Sequence, residues 1–105
     1  MENIIQDFCT AWQTFNAELI IRHLSKDFVY DSQWVLSSLN CNGYKEYLLG
    51  KFQTLKKNGV QIEASIVDDS YRGGKILKLN QNGFVCFYRI RVKDGKVIKG
   101  DLCMF

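Results

Sequence analysis

Two dipeptides, Asn82-Gly83 and Asp94-Gly95, set the strongest constraint on this chain. Each is a pair that a two-residue type I′ hairpin needs, because both central residues of that turn take positive φ. Around them apolar and polar residues alternate with a period of two. The pattern predicts strands over residues 60–69, 75–81, 84–93 and 96–105, with a turn over 69–74. Four strands joined in this way form an antiparallel meander.

The first half reads differently. Ile5, Phe8, Cys9, Trp12 and Phe15 recur at the helical period over residues 2–16. Leu19, Ile20 and Leu24 give a shorter helix over 17–24, which Ser25-Lys26-Asp27 ends. Residues 28–35 alternate as a strand, with Phe28, Tyr30, Ser32 and Trp34 on one face. After a polar loop, Tyr44, Leu48, Phe52 and Leu55 form the inner stripe of a long helix over 43–58, with Asn42 as the expected N-cap and Gly59 as the stop. The order is α-α-β-α-β-β-β-β. It implies one α+β domain over residues 1–105, in which a curved, mostly antiparallel sheet wraps the three helices of the N-terminal half like a cone with a pocket inside.

An uninterrupted register from the Asp94-Gly95 turn opposes Lys93 to Lys96, Tyr88 to Asp101 and Cys86 to Cys103. Opposed residues share a face. Leu77, Leu79, Phe84, Cys86, Tyr88, Asp101 and Cys103 are therefore expected toward the helices. Val85, Phe87, Leu102 and Met104 fall on the outer face, an apolar patch that predicts a back-to-back homodimer.

Composition narrows the function classes. With 47% apolar and 24% charged residues over 105 positions, the chain is globular and too short for an enzyme with a separate dinucleotide-binding domain. No apolar run suits a membrane helix or a signal peptide, so a cytoplasmic protein with reduced thiols at Cys9, Cys41, Cys86 and Cys103 is expected. No C-x-x-C pair occurs and His23 is the one histidine, so neither a zinc site nor another cofactor is expected. The net charge is +3, and its positive part is concentrated in the hairpins: Arg72, Lys75, Lys78, Arg89, Arg91, Lys93, Lys96 and Lys99 stand against Asp94 alone between residues 71 and 99. No exposed aromatic platform accompanies these cations, so nucleic acid is not the expected partner. Arg72-Gly73-Gly74-Lys75 has phosphate-friendly residues but reads as a turn.

Phe8-x-x-x-Trp12, the run from Leu24 to Tyr30, Asn42-Gly43-Tyr44-Lys45-Glu46-Tyr47 and Val92-Lys93-Asp94-Gly95-Lys96-Val97 together give a familiar layout. It resembles the nuclear transport factor 2-like (cystatin-like α+β) superfamily, which includes the SnoaL-like polyketide cyclases and steroid isomerases. The segment from Tyr30 to Val35 looks like that of uncharacterised bacterial members. The resemblance implies a conical pocket and frequent homodimers, and no single activity. At the first-strand position where steroid-isomerase-like members carry a carboxylate base, this chain has Ser32. Near their second pocket acid it has Phe87 and Tyr88. His23 precedes the first strand and reads as a helix-end residue.

The expected pocket lining is Trp12, Tyr30, Ser32, Trp34, Phe52, Cys86, Tyr88, Asp101 and Cys103, with Phe15 beside the helical wall. This is an apolar cavity with a few polar groups, suited to a small apolar or aromatic ligand. The alternative is a lyase or isomerase using Asp101 with Tyr30 or Tyr88. A second alternative is a protein- or nucleic-acid-binding module using the basic hairpin.

Overall fold

The structure, a computed structural model, describes residues 2–32 and 38–103. In chain order the elements are α1 (Glu2–Thr14), α2 (Glu18–Ile21), β1 (Leu24–Ser32), β2 (Leu39–Asn40), α3 (Cys41–Lys57), β3 (Glu63–Asp68), β4 (Lys75–Gln81), β5 (Phe84–Lys93) and β6 (Lys96–Cys103). The strands form one six-stranded sheet in the order β2-β1-β6-β5-β4-β3. Neighbours are antiparallel except β1 and β6, which run parallel. Three helices pack on one face of this open mixed sheet, the α+β arrangement that the sequence predicts.

Helix ends explain several boundary differences. α1 stops at Thr14 because Phe15 turns to a φ of 56° and the Asn16 amide donates back to the Ala11 carbonyl at 3.0 Å. α3 begins earlier than expected. Its cap is Asn40, whose Oδ1 accepts the Gly43 amide at 2.8 Å, and not Asn42. At its far end Gly59 takes a φ of 66°, and the Val60 amide reaches the Leu55 carbonyl at 3.0 Å. Ser25, Lys26 and Asp27 do not end a helix; they lie within β1, whose pairing with β6 shifts register between Leu24 and Val29.

Both predicted type I′ turns form, with φ of 55° and 86° at Asn82-Gly83 and 52° and 76° at Asp94-Gly95. Lys93 opposes Lys96 and Val92 opposes Val97, as expected. Beyond them the uninterrupted register fails. Arg91 opposes Lys99, Arg89 opposes Asp101, Tyr88 opposes Leu102 and Phe87 opposes Cys103. Ile98 is the extra residue of a β-bulge, and everything after it changes face. Asp101 and Cys103 therefore point away from the helices, and Leu102 points into the core, 7% exposed. The expected dimer patch loses Leu102 for the same reason, and Met104 lies outside the described residues.

The core is strongly aromatic. Phe8, Phe28, Tyr30, Tyr44 and Tyr88 are all nearly inaccessible. On the opposite face of the sheet, Ile76 is buried apart from this core, beneath the loop over residues 69–74. Asp69 holds that loop down. Its carboxylate accepts the amides of Tyr71 and Arg72 at 2.9 and 3.2 Å and a two-point bond from the Arg89 guanidinium at 2.8 and 3.2 Å. Lys99 pairs with Asp31 at 2.9 Å and Lys75 with Asp68 at 2.5 Å. Acids from the first part of the chain thus offset part of the basic excess of the hairpins.

Candidate functional site

The space between helices and sheet divides into two parts. Deep inside, tyrosine rings fill it. Tyr30 lies 4.5 Å from Tyr44 and 6.0 Å from Tyr88, centre to centre, and Phe28 lies 5.0 Å from Tyr44. The Tyr88 hydroxyl donates to the Tyr44 hydroxyl at 2.8 Å. Burial drives the phenols of Tyr30, Tyr44 and Tyr88 above the ordinary tyrosine range, so all three stay protonated at neutral pH. Ser32 hydrogen-bonds with Tyr30, which partly offsets the shift there.

Nearer the surface the filling stops. A cavity of about 240 Å³ lies between Trp12 of α1, Lys51 of α3, Ile62, Leu79 and Gln81 of β4, Phe84 and Cys86 of β5, and Leu102 of β6. Its inner wall is apolar. Gln81 and Phe84 are its exposed members, Phe84 at 56%, while Lys51, Ile62 and Cys86 are half-buried. Trp12 packs edge-on against Phe52, with ring centres 4.8 Å apart. Its indole is 4% exposed, yet its Nε1–H has no hydrogen-bond partner among the described residues. Leaving such a donor unpaired costs about 1–3 kcal/mol. Lys51 makes no ion pair among the described residues; its ammonium lies 5.8 Å from the centre of the Tyr47 ring. Cys86 is a thiol whose pKa is pushed up by burial, with Lys51 pulling the other way.

The expected lining is therefore only partly assembled. Trp12 and Cys86 face the cavity. Phe52 stands behind Trp12, and Tyr30 and Tyr88 belong to the packed aromatic cluster. Trp34 lies outside the described residues. Asp101 and Cys103 are on the other side of the sheet, in a shallow basin shared with Asp31, Arg72, Arg89, Arg91 and Lys99. Asp101 is thus separated from Tyr30 and Tyr88 by the sheet itself. Lys51, Ile62, Gln81 and Leu102 were missed. For Lys51 a signal existed: it falls three residues after Leu48 and four before Leu55, on the edge of the apolar stripe. His23 is at a helix end, 2.7 Å from Asp7, which also binds Arg22 at 2.7 Å.

Solved structures share this fold. A SnoaL-like protein of unknown function from Burkholderia thailandensis superposes with a TM-score of 0.75 at 12% identity, covering 96% of this chain and 90% of its own. An NTF2-like protein of unknown function from Cytophaga hutchinsonii gives 0.63 at 11% identity, covering 96% and 86%. The chain has the nuclear transport factor 2-like fold. An LEH-like epoxide hydrolase from M. tuberculosis gives a TM-score of 0.59 at 18% identity, covering 94% and 77%. At these identities the likeness extends to the NTF2-like fold and no further. No protein-family model matches the sequence, and no curated protein matches it. Among the described residues of this NTF2-like chain, no cluster of histidine, cysteine and carboxylate side chains could hold a metal ion, and no helix is long and apolar enough to cross a membrane.

Proposed function

We propose that the chain binds a small, largely apolar or aromatic molecule in the cavity beside Trp12. The observation that carries this reading is the cavity of about 240 Å³ itself, whose inner wall of Trp12, Leu79 and Leu102 is apolar. An apolar ligand fills the space against that wall, and one carrying a hydrogen-bond acceptor gives the sealed, unpaired Trp12 Nε1–H a partner if the indole shifts to meet it. An apolar cavity of about 150 Å³ takes a benzene ring, so this one suits a bicyclic body of roughly ten non-hydrogen atoms. Binding fits better than catalysis: neither a carboxylate nor a histidine lines the cavity among the described residues, and the nearby tyrosines are buried and protonated.

The test compares 2-acetylnaphthalene with 2-ethylnaphthalene by titration of the ¹⁵N-labelled protein. The ketone is expected to bind more tightly and to shift the Trp12 indole N–H resonance. Trp12→Phe should erase the preference for the ketone. Equal binding of both probes, or binding that leaves the indole resonance in place, would refute the role given to Trp12.

A further inference from the structure

We infer that the ligand of this cavity is a monoanion, an apolar body carrying one carboxylate, with the carboxylate held at the mouth by Lys51. This deepens the ligand-binding reading above and rests on it. The cavity is polarised. Trp12, Leu79 and Leu102 form a buried apolar wall, whereas the polar members of the lining are the half-buried Lys51 and the exposed Gln81.

Charge balance at the opening fixes the sign. No acid lines the cavity among the described residues. Among the described residues Lys75, Arg89 and Lys99 each have a carboxylate within 4 Å, while others such as Lys78 and Lys93 have none. Lys51 also has none among the described residues, and what sets it apart is its place on the cavity wall, near the Tyr47 ring and the Cys86 thiol. A cation beside an apolar cavity, with no internal counter-charge, favours an anion from outside.

The donor set fixes the kind of anion. A phosphate dianion is normally held by a guanidinium fork or by several backbone amides together. The mouth offers one ammonium and one side-chain amide, Gln81. That suits a carboxylate, which takes one charged and one neutral donor on its two oxygens.

The experiment uses two isosteric probes, 2-naphthoate and 2-naphthamide, titrated against the whole chain with the Trp12 indole resonance and calorimetry as readouts. The carboxylate is expected to bind at least tenfold more tightly than the amide. Lys51→Gln should remove that preference by weakening the carboxylate far more than the amide. The preference should also shrink as salt is raised, because the mouth is open to solvent. Equal affinity of the two probes overturns the assignment of charge while leaving ligand binding intact. So does a preference that survives Lys51→Gln. Binding of neither probe overturns the ligand-binding reading itself, and this inference with it.

Discussion

A Cβ atom on Gly100 would lie 2.4 Å from the Tyr88 hydroxyl and 3.1 Å from the Phe28 ring. Residue 100 is glycine because the Tyr88 side chain occupies the volume beside it. Gly100→Ala forces the buried ring to move and breaks its bond to Tyr44. The expected loss is about 1–3 kcal/mol, typical of overpacking. It would be read from the urea midpoint at constant slope.

The Tyr88–Tyr44 bond itself predicts non-additivity. Tyr44→Phe leaves the Tyr88 hydroxyl buried without its partner, at an expected loss of about 1–3 kcal/mol. Tyr88→Phe should cost a similar amount. The double variant removes both groups and should be more stable than the sum of the two losses implies, by about 1 kcal/mol. Strict additivity in denaturation would mean that the two hydroxyls do not interact.

The bulge at Ile98 separates two neighbours in β6. Leu102 is core and Cys103 lies on the outer face. Leu102→Ala should therefore lose about 2–5 kcal/mol, and Cys103→Ser should stay within about 0.5 kcal/mol of the parent. The uninterrupted register would reverse that order.

Asp69 makes stability depend on acid. The Arg89 guanidinium, with the amides of Tyr71 and Arg72, holds its carboxyl well below the usual range. In acid the folded protein binds fewer protons at this site than the unfolded chain does. The stabilisation is complete above the unfolded value near pH 4 and is lost as pH falls through the folded value. Asp69→Asn should lower the thermal midpoint at pH 7 and flatten the fall in stability below pH 4. An unchanged acid limb in this variant would remove Asp69 from the account.

What the sequence reveals depends on whether a residue type encodes the geometry. Asn82-Gly83 and Asp94-Gly95 are legible because positive φ restricts which residues fit, and β4 and β5 follow from them with the expected bounds. Ile98 is not legible, since a bulge of this kind places no demand on side-chain type. That one residue misplaces Asp101, Leu102 and Cys103 together. Asn42 and Asn40 are equally good caps on paper, and only the structure shows that Asn40 accepts the Gly43 amide. The unpaired donor of Trp12 becomes visible only once the fold shows that no acceptor among the described residues is in reach.

The position of β6 has a consequence for synthesis. It is the last described strand in the chain, yet it lies between β1 and β5 in the sheet. On the ribosome, β1–β2 and the β3–β5 meander emerge first as separate pieces, each with an open edge where β6 belongs. Such edges invite pairing with other chains. The sheet becomes continuous only when the segment after Asp94-Gly95 leaves the exit tunnel, so completion of the native sheet waits for release of its central strand.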